Sequence, residues 1–441
     1  TQMRREPISA IRFGYGLHEC ETPPVSNDAL LRSAETTSQR SPRITLAVRA
    51  EQLQANRMMR KESEQGKKRA RRELRETALR DVRHHIASAV DDPGFGARLL
   101  AFWSDHFTVA ANGRQLRVLV PDFIDGAIRP HITGRFPDML RAATFHPAML
   151  IYLNQVQSVG PNSRAGKRRD RGLNENLARE ILELHTLGVD GGYAQSDVRS
   201  LAELLTGLSV RKEGFTFRPA ISEPGPMRLL GKTYGARSVS LAHIEQVLND
   251  IALHPTTARH LARKLVVHFL GASDAGLEQH IANVFLGSDG DLTRTYAALL
   301  DDERAWRSKF TNAKLPFEFM VSALRATGMD GQAVSKLSPK DIRNGLLDPL
   351  QRMGQPLFQP PGPDGWDEAP DTWITPPGLA ARIEWAAALA DRVADDHDPR
   401  IFLQTTLADA ASPLLTKAVS AAQNRTDGIA LTLASPEFNR R

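Results

Sequence analysis

"RGLNENLAREILELHTLGVDGGYAQSDVRSLAELLTGL", residues 171–208, decides the fold class. Asn174 is placed to cap a helix, Glu175 sits in a first turn where the helix dipole favours an acid, and Gly188 supplies a left-handed stop after Leu187. Advancing ~100° per residue from Glu175 puts Asn176, Arg179, Glu180 and Glu183 on one polar face, between about 40° and 140°. Leu177, Ile181 and Leu184 fall at roughly 180° to 240°, with His185 beside them near 280°, turned towards packed protein. Asp190, Gly191 and Gly192 turn the chain, Tyr193 follows, and Ser196 with Asp197 opens a second helix that Gly207 closes. The stretch reads as a helical hairpin. Its connection of about eight residues is too long for a DNA-reading helix-turn-helix, and its second helix carries only Arg199 as a base.

Working outward, apolar residues recur at three- and four-residue spacing almost everywhere, whereas sustained alternation is scarce. The expected fold class is therefore mainly α, with residues 1–441 forming a single large multi-helix domain. Helices are expected over roughly 44–90, 93–109, 115–129, 256–271, 314–327, 337–352 and 376–394, among others, with boundaries good to about two to four residues. "FHPAMLIYL", "LHPTTARHLARKLVVHFL" and "WITPPGLAARIEWAAALA" place Pro147, Pro255 and Pro376 where a first helical turn tolerates proline. Acids interleaved with bases over 56–85 point to a long solvated helix supported by i,i+4 pairs. Two stretches depart from this pattern. Residues 209–236, with "FTF" between glycines and prolines, suggest a small β-hairpin or extended excursion, and the Pro/Gly/Trp-rich 354–373 suggests an ordered loop.

A chain of 441 residues, 41% hydrophobic, can bury a substantial core. No run approaches the roughly 18 to 20 apolar residues of a membrane span, and "TQMRREPISAIRFGYG" has no leader-like core, so a soluble chain is expected, cytoplasmic or periplasmic. The single Cys20 excludes an internal disulfide framework and a cysteine-rich metal site. The net charge of +6 is small, which speaks against nucleic-acid binding; the short basic stretch "SRAGKRRDRG" (163–172) suits an anionic polymer or phosphate at most. "GPMRLLGKT" has five residues between Gly225 and Gly231, where a phosphate-binding loop needs four. Calcium loops fail because Gly192 and Ala194 stand where oxygen ligands belong, and no HExxH or GxSxG occurs.

Glu180 and Glu183 lie one turn apart, with Cβ atoms roughly 5 to 6 Å from each other. That pair suits acid/base work, or a shared metal if His106 or His185 joins it. The competing reading is structural: Arg179 shares their face and can pair with them, and a buried histidine is more often a satisfied core group. Trp103 and His106 share one helical face and Asp105 does not. Trp366 and Trp373 flank an acidic loop, and either present flat surfaces to a sugar or polymer or anchor that loop on the core.

The order of "FWSDHFTV", "HPAMLIYLNQVQSVGPNS", the 171–208 block, "HPTTARHLARKLVVHFL", "KLPFEFMVSALRATG" and "QPLFQPPGPDGWDEAPDTWITP" resembles the bacterial family known as domain of unknown function 1800, from "AIRFGYG" at 10–16 into the final helices. Asn174, Glu175, Asn176, Arg179, Glu180, Glu183, His185, Asp190, Gly191, Gly192 and Tyr193 match its signature. The resemblance implies a mostly helical protein, often exported and often encoded beside a sulfatase-like partner of the domain of unknown function 1501 family. It implies no catalytic residues. Where the family tends to show His-Asp-Pro-Gly, this chain has Ser222, Glu223, Pro224 and Gly225. Two functions are therefore expected. One is an enzyme-like or ligand-binding protein whose 174–197 hairpin faces His106 and the loop at 359–373, hydrolysing or modifying a polymeric carbohydrate with Glu180 and Glu183 as acid and base. The other is a non-catalytic scaffold or partner.

Overall fold

Apolar side chains at three- and four-residue spacing become helices along almost the whole chain in the computed structural model, which describes residues 3–18, 20–92, 94–168, 172–212 and 214–441. The fold is mainly α. The 209–236 excursion forms two antiparallel hairpins, Leu208–Arg211 with Gly214–Phe217 and Met227–Leu229 with Lys232–Tyr234, in a register that pairs Leu208 with Phe217. Helices Pro147–Tyr152, Pro255–Leu270 and Pro376–Val393 begin on the expected prolines. The residue before each supplies the cap: His146 Nδ1 accepts from the Ala148 N–H at 3.1 Å, His254 Nδ1 from Thr256 at 3.2 Å, and Thr375 Oγ1 from Gly378 at 3.2 Å.

The single charged helix expected at 44–90 is instead two, Leu46–Glu62 and Glu64–Asp91, folded back on each other at Ser63. Ser63 is extended, its Oγ accepts from the Gly66 N–H at 2.9 Å, and a Cβ on Gly66 would lie 2.1 Å from the Met59 carbonyl oxygen. Only glycine allows so close a return. Buried contacts close the pair: Arg49 grips Asp81 through both nitrogens at 2.6 and 2.9 Å, and Asn56 Nδ2 donates to the Ala70 carbonyl at 2.8 Å. Two helices, Arg5–Phe13 and Asn27–Ser38, precede the first one expected. Those expected at 115–129 and 337–352 are interrupted by wide π-helical turns at Phe123–Ile128 and Arg343–Leu347.

The apolar side chains gather into two cores. One surrounds helices Phe95–His106 and Pro255–Leu270, the other helices Pro316–Ala326 and Pro376–Val393. Between them runs a buried ionic seam. Arg98 Nη2 lies 3.0 Å from Glu318 Oε1, Arg441 Nε lies 2.7 Å from Glu318 Oε2, and Arg441 Nη2 lies 3.0 Å from Glu368 Oε2, while Glu368 also binds His268 Nδ1. Substituting Glu318→Gln leaves two buried guanidinium groups short of a carboxylate. The expected loss is roughly 3 to 5 kcal/mol in a urea unfolding curve; a shift below about 0.5 kcal/mol, as for an ordinary surface change, would contradict this role.

Candidate functional site

Helix Phe95–His106 is apolar on nearly every side and therefore buried. Trp103 donates through Nε1 to the Tyr296 hydroxyl at 2.6 Å on one face. Asp105 lies on another, and the 354–373 loop closes over it. Gly365 adopts φ +78°, and a Cβ there would meet Asp105 Oδ1 at 2.5 Å, so the loop backbone can approach only through glycine. The Trp366 N–H then donates to that oxygen at 2.9 Å. Within the loop Trp373 Nε1 donates to the Asp367 carbonyl at 2.6 Å, and the Trp366 and Trp373 rings stand 5.9 Å apart at 61°.

Facing the loop, helix Pro255–Leu270 carries His260, Lys264 and His268 one turn apart. Between loop and helix opens a cleft of about 790 Å³, lined by Asp105, His260, Lys264, Asp364, Trp366, Glu368 and Trp373 among others. Burial pushes the Asp105 carboxyl up to about 7, against the opposing pull of Lys264 and the Trp366 N–H. Burial also draws the Lys264 ammonium below its usual range, with Asp105, Glu368 and Asp364 resisting. For Glu368, burial acts upward but His268 and Arg441 outweigh it and hold the carboxylate well below the ordinary range.

Beneath the cleft, the first helix of the 171–208 hairpin runs as an α-helix over Asn176–Glu180 and widens into a π-helical turn over Ile181–His185. The regular ~100° wheel therefore holds only for its first half. Two histidines from elsewhere take up its final carbonyls: His260 Nε2 donates to Leu184 at 3.2 Å and His106 Nε2 to His185 at 3.0 Å. Lys264 Nζ donates to His106 Nδ1 at 3.2 Å, so both ring nitrogens of His106 are engaged and the ring is neutral. His106 and His185 are each 2% exposed. Burial and then Lys264 push His185 down to about 3 and His106 well below its usual range. Both are core groups under the cleft floor.

On the polar face Arg179 binds Glu175 at 3.3 Å, Glu183 at 3.2 Å and Gln195 at 3.0 Å, and Gln195 also donates to Glu175 at 2.8 Å. Tyr193 has its hydroxyl pushed up to about 12 by burial and by the nearby Glu183 carboxylate, and donates to the Val189 carbonyl at 3.4 Å. This network joins the two helices of the hairpin. Asn174 Oδ1 caps it by accepting from the Asn176 N–H at 2.9 Å, while Asn176 and Asp190 are exposed. Glu180 differs: no described residue forms an ion pair with it, and burial and Glu183 push its carboxyl up against Arg179. It also feels Asp364 on the cleft, as does Tyr152.

Of the residues singled out from sequence, Trp366 and Trp373 thus line the cleft and Glu180 lies in electrostatic reach of it; Glu183, Arg179 and Tyr193 hold the hairpin together. Asp105, Lys264, Asp364 and Glu368 were not singled out. The four-residue spacing of His260, Lys264 and His268 on an otherwise apolar helix is the signal that points to part of this set. Among the described residues no three His, Cys, Asp or Glu side chains come together to hold a metal ion. Glu223, at the position departing from the family pattern, anchors a loop by accepting from the Asn162 N–H at 2.9 Å and its Nδ2 at 2.6 Å. Residues 169–171 of the basic 163–172 stretch lie outside the described residues. Among the described residues no helix is long and apolar enough to cross a membrane.

The family described as Protein of unknown function (DUF1800) matches residues 9–440. No curated protein and no solved structure matches the chain.

A carboxyl ionising near 7 when folded and near 4 when unfolded binds more protons in the folded state throughout that interval, so its contribution to stability is fully present below about pH 4 and lost as pH rises through about 7. Asp105→Asn keeps an oxygen for the Trp366 N–H and removes that loss. Its melting temperature relative to the parent protein is expected to climb between about pH 4 and pH 8; a difference that stays flat would contradict the perturbed carboxyl.

Proposed function

The chain belongs to this family of unknown function, and we propose that it is an enzyme-like, ligand-binding helical protein whose cleft takes a neutral polyhydroxylated polymer of carbohydrate type and transfers a proton at Asp105. The observation that carries the reading is the Asp105 carboxyl itself. It sits in the wall of an open cleft, accepts from the Trp366 N–H, lies in the field of Lys264, and is pushed by burial up to about 7, in the range where a proton-transfer group is most effective. Trp366 is the one tryptophan of five that is not buried, and it offers a ring for a sugar face to stack on. Asp364 and Asp367 add hydroxyl acceptors, and carboxylates outnumber Arg263 and Lys264 along the walls, which disfavours an anionic polymer. In hydrolysis, protonated Asp105 would donate to the leaving oxygen while a second carboxylate takes a proton from the attacking water; Glu180, within electrostatic reach of Asp364 on the cleft and with its neighbour Glu183 committed to Arg179, is the candidate for that second role.

A second reading is favoured by the Arg179 network: the asparagine and glutamate cluster only fixes the hairpin, and the protein serves as a non-catalytic partner, for example to a sulfatase-like protein. The two separate on one experiment. Soluble polysaccharides are titrated into the protein while tryptophan fluorescence reports binding at Trp366, and reducing ends are counted as product. Expected are quenching by at least one polysaccharide, turnover that falls as pH rises through about 7, and an Asp105→Asn variant that still quenches but turns over at least ~100-fold more slowly. Equal turnover by that variant, or quenching by none of the polysaccharides, would overturn the proposal.

A further inference from the structure

A second cavity, of about 170 Å³, lies on the other side of the Asp105–Trp366 contact from the cleft. Its walls are stripes on two helices. His85, Ser88 and Ala89 line it from helix Glu64–Asp91, and Ala97, Ala101 and Ser104 from helix Phe95–His106. Those positions recur at three- and four-residue spacing, so the cavity follows one face of each helix. From Ala97 to Asp105 the wall runs for ~12 Å at ~1.5 Å per residue. Small side chains line both stripes, and phenylalanines close the channel. Phe317 and Phe358 pack on the His85 ring at 5.2 and 4.9 Å. Phe358 is held at φ +60°, a conformation bulky residues rarely adopt, while its carbonyl accepts from the Ala111 N–H at 2.7 Å. Burial pushes His85 down to about 4, so the imidazole is neutral.

The two ends of this channel differ in charge. At one, toward the ionic seam, the lining carboxylates are matched, Glu318 by Arg98 and Arg441 and Glu368 by Arg441 and His268, so among the described residues no charge surplus stands there. At the other a small adjoining hollow shares His85, Ser88, Arg129 and Phe358 with the channel. In that hollow, among the described residues, three arginines meet two carboxylates, Arg129 with Asp125 at 2.6 Å and both Arg43 and Arg49 on Asp81 at 3.1 and 2.6 Å, while Arg40 pairs with Asp92 at 3.2 Å on the channel wall. His84 beside them is drawn down by burial and then by Arg43. One positive charge is left over at the mouth of an apolar channel.

We propose that this channel binds a medium-length unbranched carboxylate, with the alkyl chain along the Ala97–Ser104 stripe and the carboxylate at the arginine end. The channel shares Asp105, Trp366 and Glu368 with the cleft as a common wall, and the alkyl chain lies on the opposite side of that wall from any carbohydrate. A narrow groove following one helix face suits an extended chain better than a ring, and the charge surplus selects an anionic head over a cationic one.

The test is calorimetric titration of the full chain with decanoate, 1-decanol and decyltrimethylammonium. Decanoate is expected to bind one per chain, at least ~10-fold more tightly than the cationic amphiphile. Ala101→Phe fills the channel and is expected to abolish decanoate binding while keeping or raising the melting temperature. Should that variant fail to fold, Ser104→Leu plugs the same stripe. Arg43→Ala is expected to weaken decanoate by roughly two- to fivefold, the size of an exposed ion-pair effect, and to leave 1-decanol unchanged. The proposal is overturned if decanoate does not bind, if the plugged variant binds it as well as the parent, or if the cationic amphiphile binds equally.

Discussion

The hydrogen bond from the Trp366 N–H to Asp105 joins segments 261 residues apart, and the rest of the functional architecture hangs from it. It pins a proline- and glycine-rich loop onto a helix that would otherwise present a carboxylate to water. With the loop in place, one side of the contact becomes the wall of an open cleft and the other the end of an apolar channel. The same closure leaves Asp105 only partly exposed, and this loss of hydration raises its affinity for a proton. Gly365 makes the approach sterically feasible, because any Cβ there would stand within 3 Å of the carboxylate and of the Thr108 hydroxyl.

The loop is anchored a second time through Glu368, which reaches His268 and Arg441 in the ionic seam between the two cores. Buried charges are costly unless matched, and here each is: Glu318 sits between Arg98 and Arg441, and Glu368 between Arg441 and His268. The seam therefore does two jobs. It registers one core against the other, and it holds the far side of the cleft at fixed distance from helix Pro255–Leu270. Lys264 on that helix stands between the acids of the cleft and His106 below, so the charged surface and the neutral histidine layer are in direct contact.

Much of the fold was legible because its causes are local. Three- and four-residue apolar recurrence marks the helices, and Pro147, Pro255 and Pro376 after His146, His254 and Thr375 mark starts that the structure reproduces with side-chain caps. The break at Ser63 was not legible, since mixed charge continues through both helices and only Ser63 with Gly66 marks the turn. The π-helical widening at 181–185 likewise escapes a wheel drawn at constant pitch. Glu180 and Trp366 were found because each stands out within its own segment. Asp105 was set aside for facing away from Trp103 and His106; that is true, and it is the reason the loop can cover it. What selects it is a partner from the far end of the chain, which no local pattern contains.

The central claim is that the Asp105 carboxyl is a desolvated group ionising near neutrality. Carbon-13 NMR titration of the aspartate side-chain carboxyls, with the Asp105 resonance assigned by its absence in Asp105→Asn, measures this directly. A midpoint near 7 is the expected result; a midpoint near 4, where an ordinary hydrated aspartate titrates, would contradict the account.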